Sequence, residues 1–199
     1  RSLLQRVFFG PTRRRLIQEL SGIRPNAAIL DVGCGTGQLA EEILQWFPKV
    51  KVRGLDLSVK MIEMAEVRCA EFGERAEFCV GDSEKLPWTG GRFDVVICTH
   101  SFHHYPNQAA VLAEFARVLK PDGELMLVDA DRDTWYGRFF FDGIVNWLEG
   151  GVHHCSEAEF RQKFAAAGFE VESRFRQGGV MPWQLLRGRK RAATAKKSA

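Results

Sequence analysis

The fold turns on one stretch, Leu30-Asp31-Val32-Gly33-Cys34-Gly35-Thr36-Gly37. Residues 28–32 (Ala-Ile-Leu-Asp-Val) form a short apolar run closed by glycines, and by length and flanks this is a buried strand. Glycine lets a backbone turn sharply and approach a ligand with no Cβ in the way. Beyond the turn, apolar residues at 39, 40, 43, 44 and 47 have helical spacing, and Pro48 stops the helix predicted over 38–47. A strand, a glycine turn and a helix open an α/β sheet. Ligands of such sheets lie beyond the carboxyl ends of the strands, where strand order reverses.

Downstream the alternation repeats. Strands are predicted at 51–57, 77–80, 93–99 and 124–129, with helices at 59–72 and 107–119. Ser58 is the expected N-cap of the second helix and Gly73 its stop, and Lys120-Pro121-Asp122-Gly123 reads as a turn. Short connections of this kind give parallel strands joined by right-handed crossovers, with helices on both faces. After residue 130 the rhythm changes. Residues 135–148 are aromatic-rich with a helical pattern, and 156–167 form a helix capped by Ser156, with Glu159 completing a capping box. Residues 169–176 and 179–187 read as two strands joined through Gln177-Gly178-Gly179, a hairpin rather than another crossover. The predicted fold class is a Rossmann-like, doubly wound α/β sheet of seven strands, mostly parallel, with one antiparallel strand from the C-terminal hairpin. It fills a single domain over 1–190, with 1–24 as an N-terminal cap segment and 131–151 as an insertion on the substrate side. Residues 191–199 are a basic tail.

Composition agrees with this. In 199 residues, 45% hydrophobic and 27% charged side chains exclude a disordered chain, a collagen and a membrane bundle. No apolar run reaches the ~18 residues of a membrane span, and residues 1–9 hold too short an apolar stretch for a secretory signal. Cys34, Cys69, Cys79, Cys98 and Cys155 are odd in number, widely spaced and mostly set in apolar runs. They read as buried thiols of a reducing compartment, so the expected location is cytoplasmic. Of the 28 basic residues, five lie in 1–15 and six in 187–199, and neither stretch has an acid; 17 basic residues then face 25 acidic ones over 16–186. A nucleic-acid enzyme carries its positive charge on the folded body, so this distribution speaks against a nucleic-acid partner. Residues 192–199 read as a solvated terminus.

The ligand can be narrowed from the same turn. A dinucleotide fingerprint, Gly-x-Gly-x-x-Gly counted from Gly33, demands glycine at 38, where Gln38 stands; the third glycine is Gly37. Asp31 stands two residues before Gly33. A carboxylate there repels a pyrophosphate and suits a ligand bearing an ammonium and a sulfonium. The spacing favours S-adenosylmethionine over NAD. Asp56, at the end of the second strand, can accept hydrogen bonds from both hydroxyls of a ribose. The third strand ends in Gly81-Asp82-Ser83, an acid able to receive an adenine amino group, with Leu57 and Leu86 to cover the ring.

The chain resembles the class I S-adenosylmethionine-dependent methyltransferases, in the broad group that includes the ubiquinone/menaquinone C-methyltransferases. The matching segments are 30–37, 54–58, 81–88, 93–96 and 118–125, in the family's order over about 25–187. The resemblance implies S-adenosylmethionine as cofactor. It implies Asp31 near the methionine end, Gly33, Cys34, Gly35 and Gly37 beneath it, and Asp56 on the ribose with Leu57 and Met61 nearby. Asp82 and Ser83 would stand at the adenine, and backbone around Cys98 and Thr99 at the methionine ammonium.

Departures from the family bear on the substrate. Relatives that methylate exocyclic amino groups carry Asn/Asp-Pro-Pro-Tyr/Phe after the fourth strand, where this chain has Cys98-Thr99-His100-Ser101-Phe102-His103-His104. No metal is predicted. Asp129, Asp131 and Asp133 read as hydration or capping residues, and His153 and His154, adjacent on a strand, point to opposite faces. The insertion, with Trp135, Tyr136, Phe139, Phe140, Phe141 and Trp147, is the expected substrate wall, opposite residues 3–20. His103 and His104 are candidate general bases, because histidine titrates nearest neutral pH; a packing role is the alternative. If a helix starts near Phe102, His100 and His104 share a face. The expected function is methyl transfer to a small, partly apolar metabolite. A nucleotide-dependent oxidoreductase and a catalytically silent methyltransferase-like partner protein stay open as alternatives.

Overall fold

β1 (Ala28–Val32) pairs in parallel with β2 (Lys51–Asp56) on one side and with β4 (Phe93–Thr99) on the other. β3 (Ala76–Val80) continues the sheet beyond β2, and β5 (Leu119–Ala130) continues it beyond β4. β7 (Trp183–Lys190) runs antiparallel between β5 and β6 (Phe169–Gln177), giving the order β3-β2-β1-β4-β5-β7-β6. This is the predicted seven-stranded sheet with one antiparallel member. The computed structural model describes residues 10–133, 153–178 and 182–191. The aromatic-rich 135–148 and the tail 192–199 lie outside the described residues.

Period-two alternation along the strands splits the core between two faces. Leu30, Val32, Val96, Cys98, Leu125 and Leu127 face α4 (Gln108–Val118) and α5 (Glu157–Ala166), which supply Val111, Leu112, Phe115, Phe160 and Phe164. Ile29, Val95, Ile97, Met126 and Val128 face the opposite way, toward α1 (Gly10–Glu19) and α2 (Gln38–Trp46), with Leu16, Leu39, Ile43 and Leu44. The described part of the N-terminal cap is therefore core as well as cover. α3 (Val59–Cys69) packs beside α2. Among the described residues no helix is long and apolar enough to cross a membrane.

Caps fall where the sequence places them. Ser58 accepts from the Met61 amide, and Ser156 and Glu159 form a reciprocal capping box. Several bounds differ. α3 ends at Cys69 and gives way to a 3₁₀ segment, Ala70–Arg75, broken at Gly73 (φ 53°). β5 begins at Leu119 rather than Glu124. The turn at 120–123 is a register jump within it, from Phe93↔Leu119 to Val95↔Glu124, with Asp122 left-handed at φ 61°. β7 starts only after Pro182, which lacks an amide hydrogen for the ladder, and runs to Lys190. The Arg191 amide, just past the strand, donates to Gly168 O (2.9 Å). Arg187, Arg189 and Lys190 thus belong to a strand. Arg187 pairs with Glu124 (2.8 Å) and Glu19 (3.5 Å), and Arg189 with Glu124 (3.0 Å).

Phe164 closes the helix-covered face. It is fully buried, its ring centroid lies 5.6 Å from that of Phe169, and a Cβ at Gly188 would come 2.7 Å from its ring. With α5 seated that closely on β7, Phe164→Ala is expected to lose about 3–5 kcal/mol in urea unfolding. A loss below about 1 kcal/mol would show that α5 does not hold this face.

Candidate functional site

Successive strands step to one side from β1 to β3 and to the other from β4 to β5, so strand order reverses between β1 and β4. The glycine turn stands at this reversal. Amides of Gly33 and Cys34 donate to Leu55 O (2.8 and 3.1 Å), and Gly35 N–H donates to Asp56 Oδ2 (2.9 Å). The three glycines have left-handed φ of 72°, 53° and 73° but serve different ends. A Cβ at Gly37 would sit 2.9 Å from Ala65 Cβ, so this glycine lets α2 approach α3. One at Gly33 would collide with Ser101, and one at Gly35 would meet open space.

Two cavities adjoin the turn. A cleft of about 430 Å³ is lined by Gly33, Asp56, Leu57, Asp82, Ser83, Ser101, His104 and Tyr105. Another, of about 220 Å³, is lined by Asp31, Cys34, Gly35, Thr99 and His100, and by Thr12 and Arg13 of α1. Asp56 also accepts the Ser58 amide (3.0 Å), and each carboxylate oxygen has a lone pair left for a ligand hydroxyl. Leu57 is 77% exposed at the cleft. Leu86, expected over the ring, is instead in the core at 4% exposure. Met61 is half-buried on α3 and Cys98 fully buried in β4; neither is among the cleft's lining residues. Burial pushes the thiols of Cys34, Cys69, Cys79, Cys98 and Cys155 up, as expected of inert cysteines.

Asp31 is the anomaly. It is 1% exposed, and neither carboxylate oxygen has a hydrogen-bond partner among the described residues. Burial, and secondarily the Asp56 charge, push its carboxyl up to about 7. A buried acid without donors is costly, and a ligand ammonium at the adjoining cavity relieves that cost. The residues present fit S-adenosylmethionine on that ground.

The histidines separate. His100 is left-handed (φ 52°) and faces α1, with Nε2 3.4 Å from Thr12 Oγ1; burial lowers its imidazole to about 4. Phe102–His104 is a single 3₁₀ turn, too short to stack His100 with His104. His104 is exposed at the cleft. His103 turns inward, its Nδ1 donating to Asp129 Oδ1 at 2.6 Å and its amide to Oδ2 at 3.0 Å; the two residues are 8% and 2% exposed. Burial raises the Asp129 carboxyl, but the His103 hydrogen bond and charge outweigh it and hold the acid below its ordinary range. Asp129 thereby fixes the orientation of the His103 ring. The other two aspartates do cap backbone amides, Asp131 that of Asp133 (3.1 Å) and Asp133 that of Glu157 (2.9 Å), and each also meets an arginine. Asp131 is buried against Arg176, and Asp133 pairs with Arg174 (3.1 Å). His153 is exposed and His154 buried, as adjacent residues on an extended segment should be. Sequence reasoning missed Ser101, Tyr105 and the Asp129–His103 pair, whose members stand 26 residues apart.

A sequence model described as a methyltransferase domain matches residues 29–123. Demethylmenaquinone methyltransferase of Thermotoga maritima is 33% identical over 139 residues, which cover 68% of this chain and 58% of that protein. Ubiquinone biosynthesis O-methyltransferase of Bordetella avium is 32% identical over 176 residues, covering 86% of this chain and 69% of that one. The chain therefore spans about three-fifths to two-thirds of the length of these relatives. The solved YcgJ protein of Bacillus subtilis superposes with a TM-score of 0.78 at 20% identity, over 92% of this chain and 100% of its own, a likeness of fold. With that sheet order, and a relative aligned along most of its length, the chain belongs to the class I S-adenosylmethionine-dependent methyltransferases.

Proposed function

We propose that this chain transfers a methyl group from S-adenosylmethionine to a small, partly apolar acceptor, with His103 as general base and Asp129 as its positioning residue. The buried His103–Asp129 pair carries this reading: the His103 ring is not among the groups lining the cleft but lies 4.2 Å from that of His104, which is. S-adenosylmethionine supplies, when bound, an electrophilic methyl on a sulfonium, so the protein mainly aligns the acceptor in line with the carbon–sulfur bond. Asp31 would counter the methionine ammonium, and Asp56 would accept the ribose hydroxyls. Asp82 and Ser83 would meet the adenine, with Leu57 across its ring. Gly33, Cys34, Gly35 and Gly37 shape the turn beneath, and Thr99 faces the methionine end. His103 Nε2 would take the proton of an acceptor hydroxyl as the oxygen–carbon bond forms. Relatives named for menaquinone and ubiquinone biosynthesis support an apolar acceptor. Labelled S-adenosylmethionine screened against a panel of quinol, phenol and amine acceptors tests the reading. Transfer confined to amines that need no base would overturn the role of His103.

The cofactor assignment has two consequences. Asp56→Ala is expected to weaken S-adenosylmethionine and its demethylated product by about 1.5–3 kcal/mol in calorimetry. Unchanged affinity would remove Asp56 from the ribose. The second is a pH dependence. The Asp31 carboxyl is protonated below about 7 and the ammonium needs its ionised form, so affinity should rise as pH increases toward 7. Above about 8 the ligand's own amino group loses its proton and affinity should fall again. Asp31→Asn should bind weakly and lack the rising limb; a wild-type affinity flat from pH 5.5 to 7.5 would contradict the role.

For the base, His103→Ala should lower kcat by about 10²–10⁴-fold with cofactor affinity unchanged. Asp129→Asn should lower kcat with KM retained. Near wild-type turnover in His103→Ala would leave alignment as the whole mechanism.

A further inference from the structure

We propose that His103, Asp129 and His154 form a binding site for one divalent transition-metal ion of the zinc class. One ligand atom from each residue lies within 4.8 Å of the others. Two imidazole nitrogens and a carboxylate suit zinc, cobalt, nickel or ferrous iron, and not magnesium or calcium, which prefer oxygen. Donors at about 2.0–2.2 Å around a tetrahedral ion stand roughly 3.4 Å apart, inside the 4.8 Å that bounds this set.

The site is built rather than incidental. Asp129 is held by amides of His103 (3.0 Å) and Ala130 (2.7 Å), and its Oδ2 keeps a lone pair beyond the His103 bond. The His103 Nδ1–Asp129 Oδ1 contact (2.6 Å) already holds two of the three donor groups side by side. His154 arrives on a strap tied at several points. His153 N–H donates to His103 O (2.9 Å), Gln108 donates to His153 O (3.0 Å), and Arg132 donates to His154 O (3.0 Å). The ring centroids of His103 and His154 lie 4.5 Å apart, with both residues under 9% exposed. A cavity of about 410 Å³, lined by His154 and Tyr105, gives an ion a way in. The ligands come from after β4, the end of β5 and before α5, so no local spacing announces them. An ion held there would occupy the imidazole proposed above as base, yet the site itself does not rest on methyl transfer.

Metal-stripped chain is titrated with zinc chloride by calorimetry, and with cobalt chloride followed by visible absorption. One equivalent of zinc should bind, and cobalt should show the bands of a four- or five-coordinate nitrogen–oxygen site. His154→Ala and His154→Gln should each lose at least about tenfold in zinc affinity while keeping the apo melting temperature. His153→Ala, on the exposed neighbour, should bind as wild type. No zinc binding, or wild-type zinc affinity in both His154 variants, would overturn the site. Because no acceptor enters these measurements, failure here leaves the methyl-transfer reading standing, and failure of that reading leaves the metal site standing.

Discussion

Parallel pairing of β1 with β4, from Ile29↔Val95 to Val32↔Cys98, is the constraint on which the rest depends. The crossovers leave this seam in opposite directions, so a crevice opens above it. Asp31 stands opposite Ile97 in the register. The loop after β4 can then press Ser101 and Tyr105 against the glycine turn, and the next pairing, Thr99↔Val128, carries Asp129 to His103. A slip of one residue would turn every side chain of β1 to the opposite face and take Asp31 out of place.

The unfavourable groups sit at that seam. Asp31 is a buried acid without donors among the described residues, and His100 is a half-buried, non-glycine residue in left-handed backbone. Such features persist only where surrounding structure over-determines them. Away from the crevice, charge is matched. Arg24 and Lys120 meet Asp94 below the sheet, and Arg187 and Arg189 share Glu124 across its far end. The buried carboxyl of Asp31 is thus a local conflict standing where a ligand relieves it.

What the sequence made legible was local. The apolar period located five parallel strands, the glycines and Asp31 located the crevice, and Ser156 with Glu159 announced a helix start. Each rests on residues within a turn or two of one another. What was illegible needed partners from elsewhere. Leu86 looks like a ligand contact after a polar strand end, until α4 covers it. Arg187 and Arg189 look like part of a basic terminus, until Glu19, Glu124 and Glu172 meet them. Asp131 and Asp133 read as capping acids, and they are; what the sequence did not show is that β6 also brings Arg176 and Arg174 to them. His103, Asp129 and His154 share no periodicity, and only the sheet brings them together.

Arg174 has a wider implication. From β6 it bonds Asp133, Glu157 and Gln184, and so gathers residues 24 positions apart onto one buried guanidinium. An excursion of the chain that leaves and returns at one anchor is a module. Its closure entropy grows only with the logarithm of its length, about 0.6 kcal/mol per doubling. The length of chain between those two positions therefore bears weakly on the cost of closing it, whereas its last residues, His153 to Ser156, are held by His103, Gln108 and Glu159 and are not free to change.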